Sequence, residues 1–256
     1  MILAIDIGNT NIVIGCIDGD NCLFVERLST VRTKTELEYA IDIKSVLDIY
    51  HIKSSELEGG IISSVVPQIT VVAKLAVEKI LKREALIVGA GIKTGLNIRI
   101  DNPAQLGSDL VVDSVAALAE YPAPLLIFDM GTANTVCVID KNKNYVGGMI
   151  YPGIGVSLDS LTAHASQLGG ISLEAPENII GKNTVDCMKS GAIYSSAAAI
   201  DGIIDRLSDE LEGDVTVIAT VGLAGNIIPY CRRKVILDDN LLLKGLAIIY
   251  RKNRKQ

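Results

Sequence analysis

The sequence predicts an α/β fold built twice over, and three observations carry that prediction. Residues 2–17 (ILAIDIGNTNIVIGCI) are echoed by residues 125–140 (LLIFDMGTANTVCVID), with Asp6, Gly8, Asn11 and Val13 answered by Asp129, Gly131, Asn134 and Val136. Each copy is an apolar strand, the pattern Asp-x-Gly-x-x-Asn, and a second β-rich run. A turn and a third strand-like run then follow in both places: Asp18 to Asn21 with Cys22 to Leu28, and Lys141 to Asn144 with Tyr145 to Ile150. Each half therefore opens with a three-stranded antiparallel meander. The remaining segments alternate helical and strand-like patterns, as α/β units do.

In chain order, Thr35-x-x-Glu38 is a capping-box pattern ahead of Leu37, Ala40, Ile41, Leu47 and Tyr50, so a helix is expected there. Gly60 to Val66 reads as a buried strand. Pro67 opens a helix whose apolar face carries Ile69, Val72, Ala73, Ala76 and Ile80, because proline suits the first helical turn. Ala85 to Val88 is a short strand, and Asn102-Pro103 starts a helix through Val111, Val115 and Leu118. In the second half Thr184 to Leu211 is mostly helix, Val215 to Val221 is strand, and Asn240 to Tyr250 closes with a helix. The expected division into domains falls near residue 116, giving 1–116 and 117–256.

Composition narrows the function. With 256 residues, 49% hydrophobic and 21% charged, the chain has ample core material and no disorder signature. No apolar run approaches the roughly 18 residues that span a bilayer, and Met1 to Asp6 runs into a strand with no basic leader. No membrane association and no secretion are expected. The net charge of −6 argues against nucleic acid as a partner. Five scattered cysteines, Cys16, Cys22, Cys137, Cys187 and Cys231, fit reduced thiols of a cytoplasmic protein. The basic cluster Arg251-Lys252 with Arg254-Lys255 reads as a solvated tail, and His51 and His164 suggest no dyad.

The paired Asp-x-Gly turns point to phosphate chemistry. Glycine two residues after a strand-end aspartate lets the chain turn and exposes N–H groups to an anion. The aspartate can hold a cation, directly or through water, and Asn9, Thr10, Thr132 and Asn134 add donors. One such motif is usually an ordinary turn; two in matching hairpins favour nucleotide binding, with a triphosphate cradled between domains. No GxxxxGK[ST] and no GxGxxG opening a helix is present, so neither a P-loop nor a dinucleotide fingerprint applies. Gly147-Gly148 with Pro152-Gly153 is either a nucleotide-side loop or a plain turn. Thr220 to Gly225 is either a turn near the adenosine or tight helix-on-strand packing. Phosphoryl transfer to an alcohol also needs a carboxylate to accept the hydroxyl proton. Asp109, early in a helix among small residues, is the candidate, with Asp113 four residues on sharing its face; acidic residues there also simply complement the helix dipole.

With these residues assembled, the chain resembles the type III pantothenate kinases over essentially its whole length. The matching stretches are Asp6 to Thr10, Ser64 to Pro67, Asp101-Asn102-Pro103 with Gly107-Ser108-Asp109, Asp129 to Ala133, Gly147-Gly148 with Pro152-Gly153, and Gly181 to Thr184 with Ser190-Gly191. The resemblance implies a duplicated actin/hexokinase-like (ribonuclease H-like) two-domain fold and ATP-dependent phosphorylation of pantothenate to 4′-phosphopantothenate, at the entry to coenzyme A. It implies that Asp6, Ile7, Gly8, Asn9, Thr10, Asn11, Ile12 and Val13 hold ATP, with Thr132 as a second nucleotide contact. It makes Asp109 the proton acceptor and Ile100, Gly107, Ser108, Leu110 and Thr184 the substrate border. Asp129 would bind a monovalent cation, K⁺ or NH₄⁺, and Asp6 would face the Mg²⁺ that accompanies ATP. Family members are homodimers with the pocket at the subunit interface, so Thr184 would serve the neighbouring site. Leu110 replaces an arginine and Ile100 a tyrosine of the usual pattern, Val221-Gly222 stands where Gly-Gly is usual, and Asn134 takes the variable place in Gly-Thr-Ala-x-Thr. A kinase of the same fold for another small alcohol, and a non-catalytic nucleotide-binding regulator, stay open beside the leading reading.

Overall fold

The computed structural model describes residues 1–211, 213–220 and 222–254. The first elements are β1 (Ile2–Ile7), β2 (Asn11–Asp18), β3 (Asn21–Ser29), α1 (Glu36–Ile49), β4 (Gly59–Ser64), α2 (Pro67–Leu81) and β5 (Ala85–Ile87). A short β6 (Asn97–Ile98) precedes α3 (Ser108–Glu120), and the second meander is β7 (Leu125–Met130), β8 (Ala133–Ile139) and β9 (Asn144–Pro152). The chain ends with α4 (Ile154–His164), α5 (Thr184–Leu211), β10 (Thr216–Thr220), α6 (Ala224–Ile227), β11 (Ile236–Leu237) and α7 (Leu241–Asn253).

The chain forms two compact units. The first comprises residues 1–96, 101–119 and the segment from Asn240 onward; the second comprises 97–100 and 120–239. These units are discontinuous, unlike the contiguous 1–116 and 117–256 expected, because α7 packs on β1, β2 and β4. In the first unit a five-stranded sheet runs β3-β2-β1-β4-β5. Alternation splits β1 between two cores: Leu3, Ile5 and Ile7 face α1 and α2, while Ile2 and Ala4 face α3 and α7. In the second unit the order β11-β10-β7-β8-β9 repeats the plan, read from the opposite edge, with β6 added beyond β9. Its core of Leu126, Phe128, Met130, Ile193, Ile200 and Ile204 joins β7 to α5.

The capping box is present: Glu38 N–H donates to Thr35 Oγ1, and the Glu38 carboxylate accepts from the Thr35 N–H at 2.8 Å. The buried face of α1 is Tyr39, Ala40, Ile43, Val46 and Leu47, so Leu37, Ile41 and Tyr50, expected inward, are exposed. Asn102-Pro103 opens only a 3₁₀ turn, capped by the Asn102 side chain, and the helix itself begins at Ser108. The helix α4 and the short β6 and β11 were not anticipated. The strand expected over Val215 to Val221 is Thr216–Thr220; Val221, like Lys255, lies outside the described residues. The basic cluster is no free tail. Arg251 pairs with Asp20 at 3.2 Å, Arg254 with Glu58 at 2.6 Å, and Lys252 donates to the Thr94 carbonyl at 2.8 Å. All five cysteines are free thiols.

The two hairpins differ by one residue. Asp6 lies opposite Val13, whereas Asp129 lies opposite Thr135. The second turn is one residue shorter, so Asn134 takes the buried place that Ile12 holds in the first hairpin. The Asn11–Asn134 and Val13–Val136 matches of the sequence echo are therefore out of step in space.

Candidate active site

In the first unit Asp6 is half-buried one residue before the end of β1, and the turn Gly8 to Asn11 follows Ile7. Ile7 and Ile12 are the last register pair and lie in the core, 0% and 3% exposed, so only their main chain is open to a ligand. The Gly8 N–H donates to the Asn11 carbonyl at 2.9 Å, and a Cβ at Gly8 would crowd that oxygen at 3.1 Å. Asn9, Thr10 and Asn11 are exposed. A residue that sequence reasoning missed holds the turn from outside. Thr30 Oγ1 donates to the Gly8 carbonyl at 2.7 Å, and Thr30 N–H donates to the Thr10 carbonyl at 2.9 Å. Its place follows from the pairing of β2 with β3, so no local sequence pattern marks it.

Asp109 is brought to the same sheet end. Asp6 is in register with Ser63 on β4, and the Ser63 hydroxyl lies 2.9 Å from that of Ser108. Ser108 Oγ also accepts from the Ser64 N–H and donates to the Ser64 carbonyl, both at 3.1 Å. Its side chain is thereby committed to clasping α3 onto β4, and its main chain remains for a ligand. Asp109, in the first turn of α3, accepts from the Leu110 N–H at 2.8 Å. Burial pushes its carboxyl above the ordinary range, and hydrogen bonds from the Leu110 and Asp109 N–H groups partly offset that rise. A Cβ at Gly107 would meet the Asp109 carboxylate and force that side chain to shift. Asp113 does not share the open face; it is 1% exposed.

In the second unit Asp129 is half-buried at the end of β7 and Thr132 is exposed. Both glycine segments left open by the sequence press on this hairpin. Gly153 donates to the Thr132 carbonyl at 3.1 Å, and a Cβ on it would come within 2.7 Å of that oxygen. Gly222, at φ +68°, packs against the Met130 carbonyl. Thr184 opens α5, where the Asn183 side chain accepts from the Asp186 N–H at 2.9 Å. It lines a cavity of about 680 Å³ with Asn134, Tyr151, Ser157, Met188 and Ser195. Burial raises the Tyr151 phenol, partly offset by the Asn134 side chain. Ile100 and Leu110 are each half-buried; they belong to different units.

Within the first unit, a strand-end carboxylate above a backbone turn and a second carboxylate at a helix start suit phosphate binding and proton acceptance; the second unit sets Asp129 above a like turn of its own. Two sheets of matching order, each opening with such a hairpin, make up the duplicated actin-like fold. Component A of (R)-2-hydroxyglutaryl-CoA dehydratase from Acidaminococcus fermentans has the same fold, with a TM-score of 0.58 at 15% identity over 97% of this chain and 96% of that one. The family model for type III pantothenate kinase matches residues 2–206. A type III pantothenate kinase of Exiguobacterium sp. is 44% identical over 100% of both chains, and one of Brevibacillus brevis is 42% identical over 99% of this chain and 100% of its own. The chain belongs to the type III pantothenate kinase family.

Proposed function

We propose that the chain transfers the γ-phosphoryl group of ATP to the hydroxyl of pantothenate, giving 4′-phosphopantothenate, the first step of coenzyme A biosynthesis. The observation that carries this reading is Asp109. In a chain of this family, it is a desolvated carboxylate held by the Ser108 clasp at the sheet end that bears Asp6.

The N–H groups of the Gly8–Asn11 turn receive phosphate oxygens, the main chain from Asp6 to Val13 frames them, and Thr132 gives a second nucleotide contact. Among the described residues no group of three or more His, Cys, Asp or Glu is placed to hold a metal. A Mg²⁺ would arrive on ATP, with Asp6 facing it, and would neutralise phosphate charge when bound. Asp129 takes the monovalent cation, K⁺ or NH₄⁺. Asp109 accepts the proton of the attacking hydroxyl, and its raised pKa makes it a stronger base than an ordinary carboxylate. Gly107, Ser108, Leu110 and Ile100 border pantothenate, and Thr184 serves the acceptor pocket of a second copy in a cytoplasmic homodimer.

The test is ADP release with mass detection of product, supplied with Mg-ATP, K⁺ and pantothenate. The parent yields 4′-phosphopantothenate, and Asp109→Asn turns over about 10²–10⁴-fold more slowly. An unimpaired variant would remove Asp109 from the role. Leu110 and Ile100, in place of arginine and tyrosine, favour one second reading: a kinase of the same fold for a different alcohol. ATP binding without pantothenate turnover would select it.

A further inference from the structure

Asp129 is met from both neighbouring strands at one level: its register partners are Thr135 on β8 and Thr220 on β10. Register partners leave a sheet on the same face with Cβ atoms about 4.5–5.5 Å apart, so two hydroxyls flank one carboxylate. Both Oγ1 atoms are buried without a hydrogen-bond partner, and Thr220 is 0% exposed. A buried hydroxyl left unsatisfied keeps its full desolvation penalty, so two beside the same carboxylate require a physical account. The first unit supplies an internal control. Around Asp6 the matching positions are Val13 and Ser63. Valine has no hydroxyl, and that of Ser63 is bonded to Ser108. Of the two hairpins, only the second carries orphaned hydroxyls at these positions.

We propose that Thr135 and Thr220 lend their hydroxyl oxygens, together with the Asp129 carboxylate, to the monovalent cation. The proposal rests on the reading of Asp129 as a cation ligand made above. One negative charge among neutral oxygens suits a singly charged ion; a divalent ion is usually held by more carboxylates or by substrate phosphates. The oxygen set lies within the second unit alone, so the ion binds the full chain without nucleotide.

The experiment is the melting temperature of the nucleotide-free, full-length protein, titrated with KCl against choline chloride at constant ionic strength. Parent, Thr135→Val, Thr220→Val and Asp129→Asn are compared. Valine keeps the volume and removes only the orphaned hydroxyl, so both threonine variants are expected to fold. The parent gains stability with K⁺. In each valine variant the K⁺ concentration for half of that gain rises about tenfold or more, equivalent to about 1.4 kcal/mol of binding. Asp129→Asn loses the gain. Valine variants with the full K⁺ response beside an unresponsive Asp129→Asn would overturn the role of the hydroxyls and leave that of Asp129 standing. An Asp129→Asn variant that still responds would overturn the cation reading itself and the proposal with it. A parent indifferent to K⁺ would overturn nucleotide-free binding by this oxygen set, and the proposal with it.

Discussion

A trans peptide points its N–H away from its C=O, so holding a carbonyl also aims the next amide. Thr30 holds the carbonyls of Gly8 and Thr10. The N–H groups of Asn9 and Asn11 are therefore turned away from β3, free to serve as anion donors. Thr30→Val should raise KM for ATP by about tenfold, at ~1–1.5 kcal/mol for a lost hydrogen bond. KM for pantothenate should hold, and Thr30→Ser should restore the parent value; equal changes in both KM values would exclude the aiming role. Asp109 yields a second residue-scale expectation. Its folded pKa lies above the unfolded one, so between the two values the folded chain keeps a proton that the unfolded chain has lost. Stability thus declines as pH rises through that window. Asp109→Asn should melt higher than the parent above the window and show no such gain below the ordinary carboxylate pKa, while its turnover stays depressed throughout. The strand-end positions of Asp6 and Asp129 and the helix-start position of Asp109 were legible in the sequence, because Asp-x-Gly and a helix-start carboxylate are local patterns. Thr30, Thr135 and Thr220 were not, since each owes its place to strand register, which no window of sequence displays.

At the scale of elements, the start of α3 is clasped by one hydroxyl, while Val112 and Val115 pack its body on the sheet. Ser108 links it to Ser63 and Ser64 on β4, and its loss would leave the Ser64 N–H without that partner. Ser108→Ala should destabilise the chain by about 1–3 kcal/mol and lower kcat through displacement of Asp109. Denaturant unfolding beside steady-state kinetics checks both effects, and a variant of parental stability would show that the clasp is unimportant. The meanders, α2 and α5 were readable from their apolar periodicity, helped in α2 by Pro67 in its first turn. The face of α1 was misread because its apolar residues occur nearly all round. The start of α3 was misread because Asn102-Pro103 signals a helix as well as the 3₁₀ turn it makes. One residue fewer in the second hairpin was also invisible, since Asn11 and Asn134 match as letters while Asn134 is buried and Asn11 is not.

For the whole molecule, exposed apolar residues bear on assembly. Ile150 and Ile180 in the second unit are 76% and 78% exposed; single exposed apolar residues are ordinary, and these two serve as probes of a dimer surface. The proposed homodimer should sediment at twice the chain mass, and Ile150→Lys should shift it toward monomer. A parent that sediments as a monomer at all concentrations would remove the partner from the acceptor pocket. The discontinuity of the first unit has another outcome, in time. Its sheet emerges early in synthesis, yet Ile2, Ala4 and Ile61 are covered partly by Leu242, Leu246 and Ile249 of α7. A nascent chain, emerging N-terminus first, must carry that apolar face uncovered while the entire second unit is translated. Chaperone demand during translation, and sensitivity to a stop codon just before Asn240, follow from where the last helix packs.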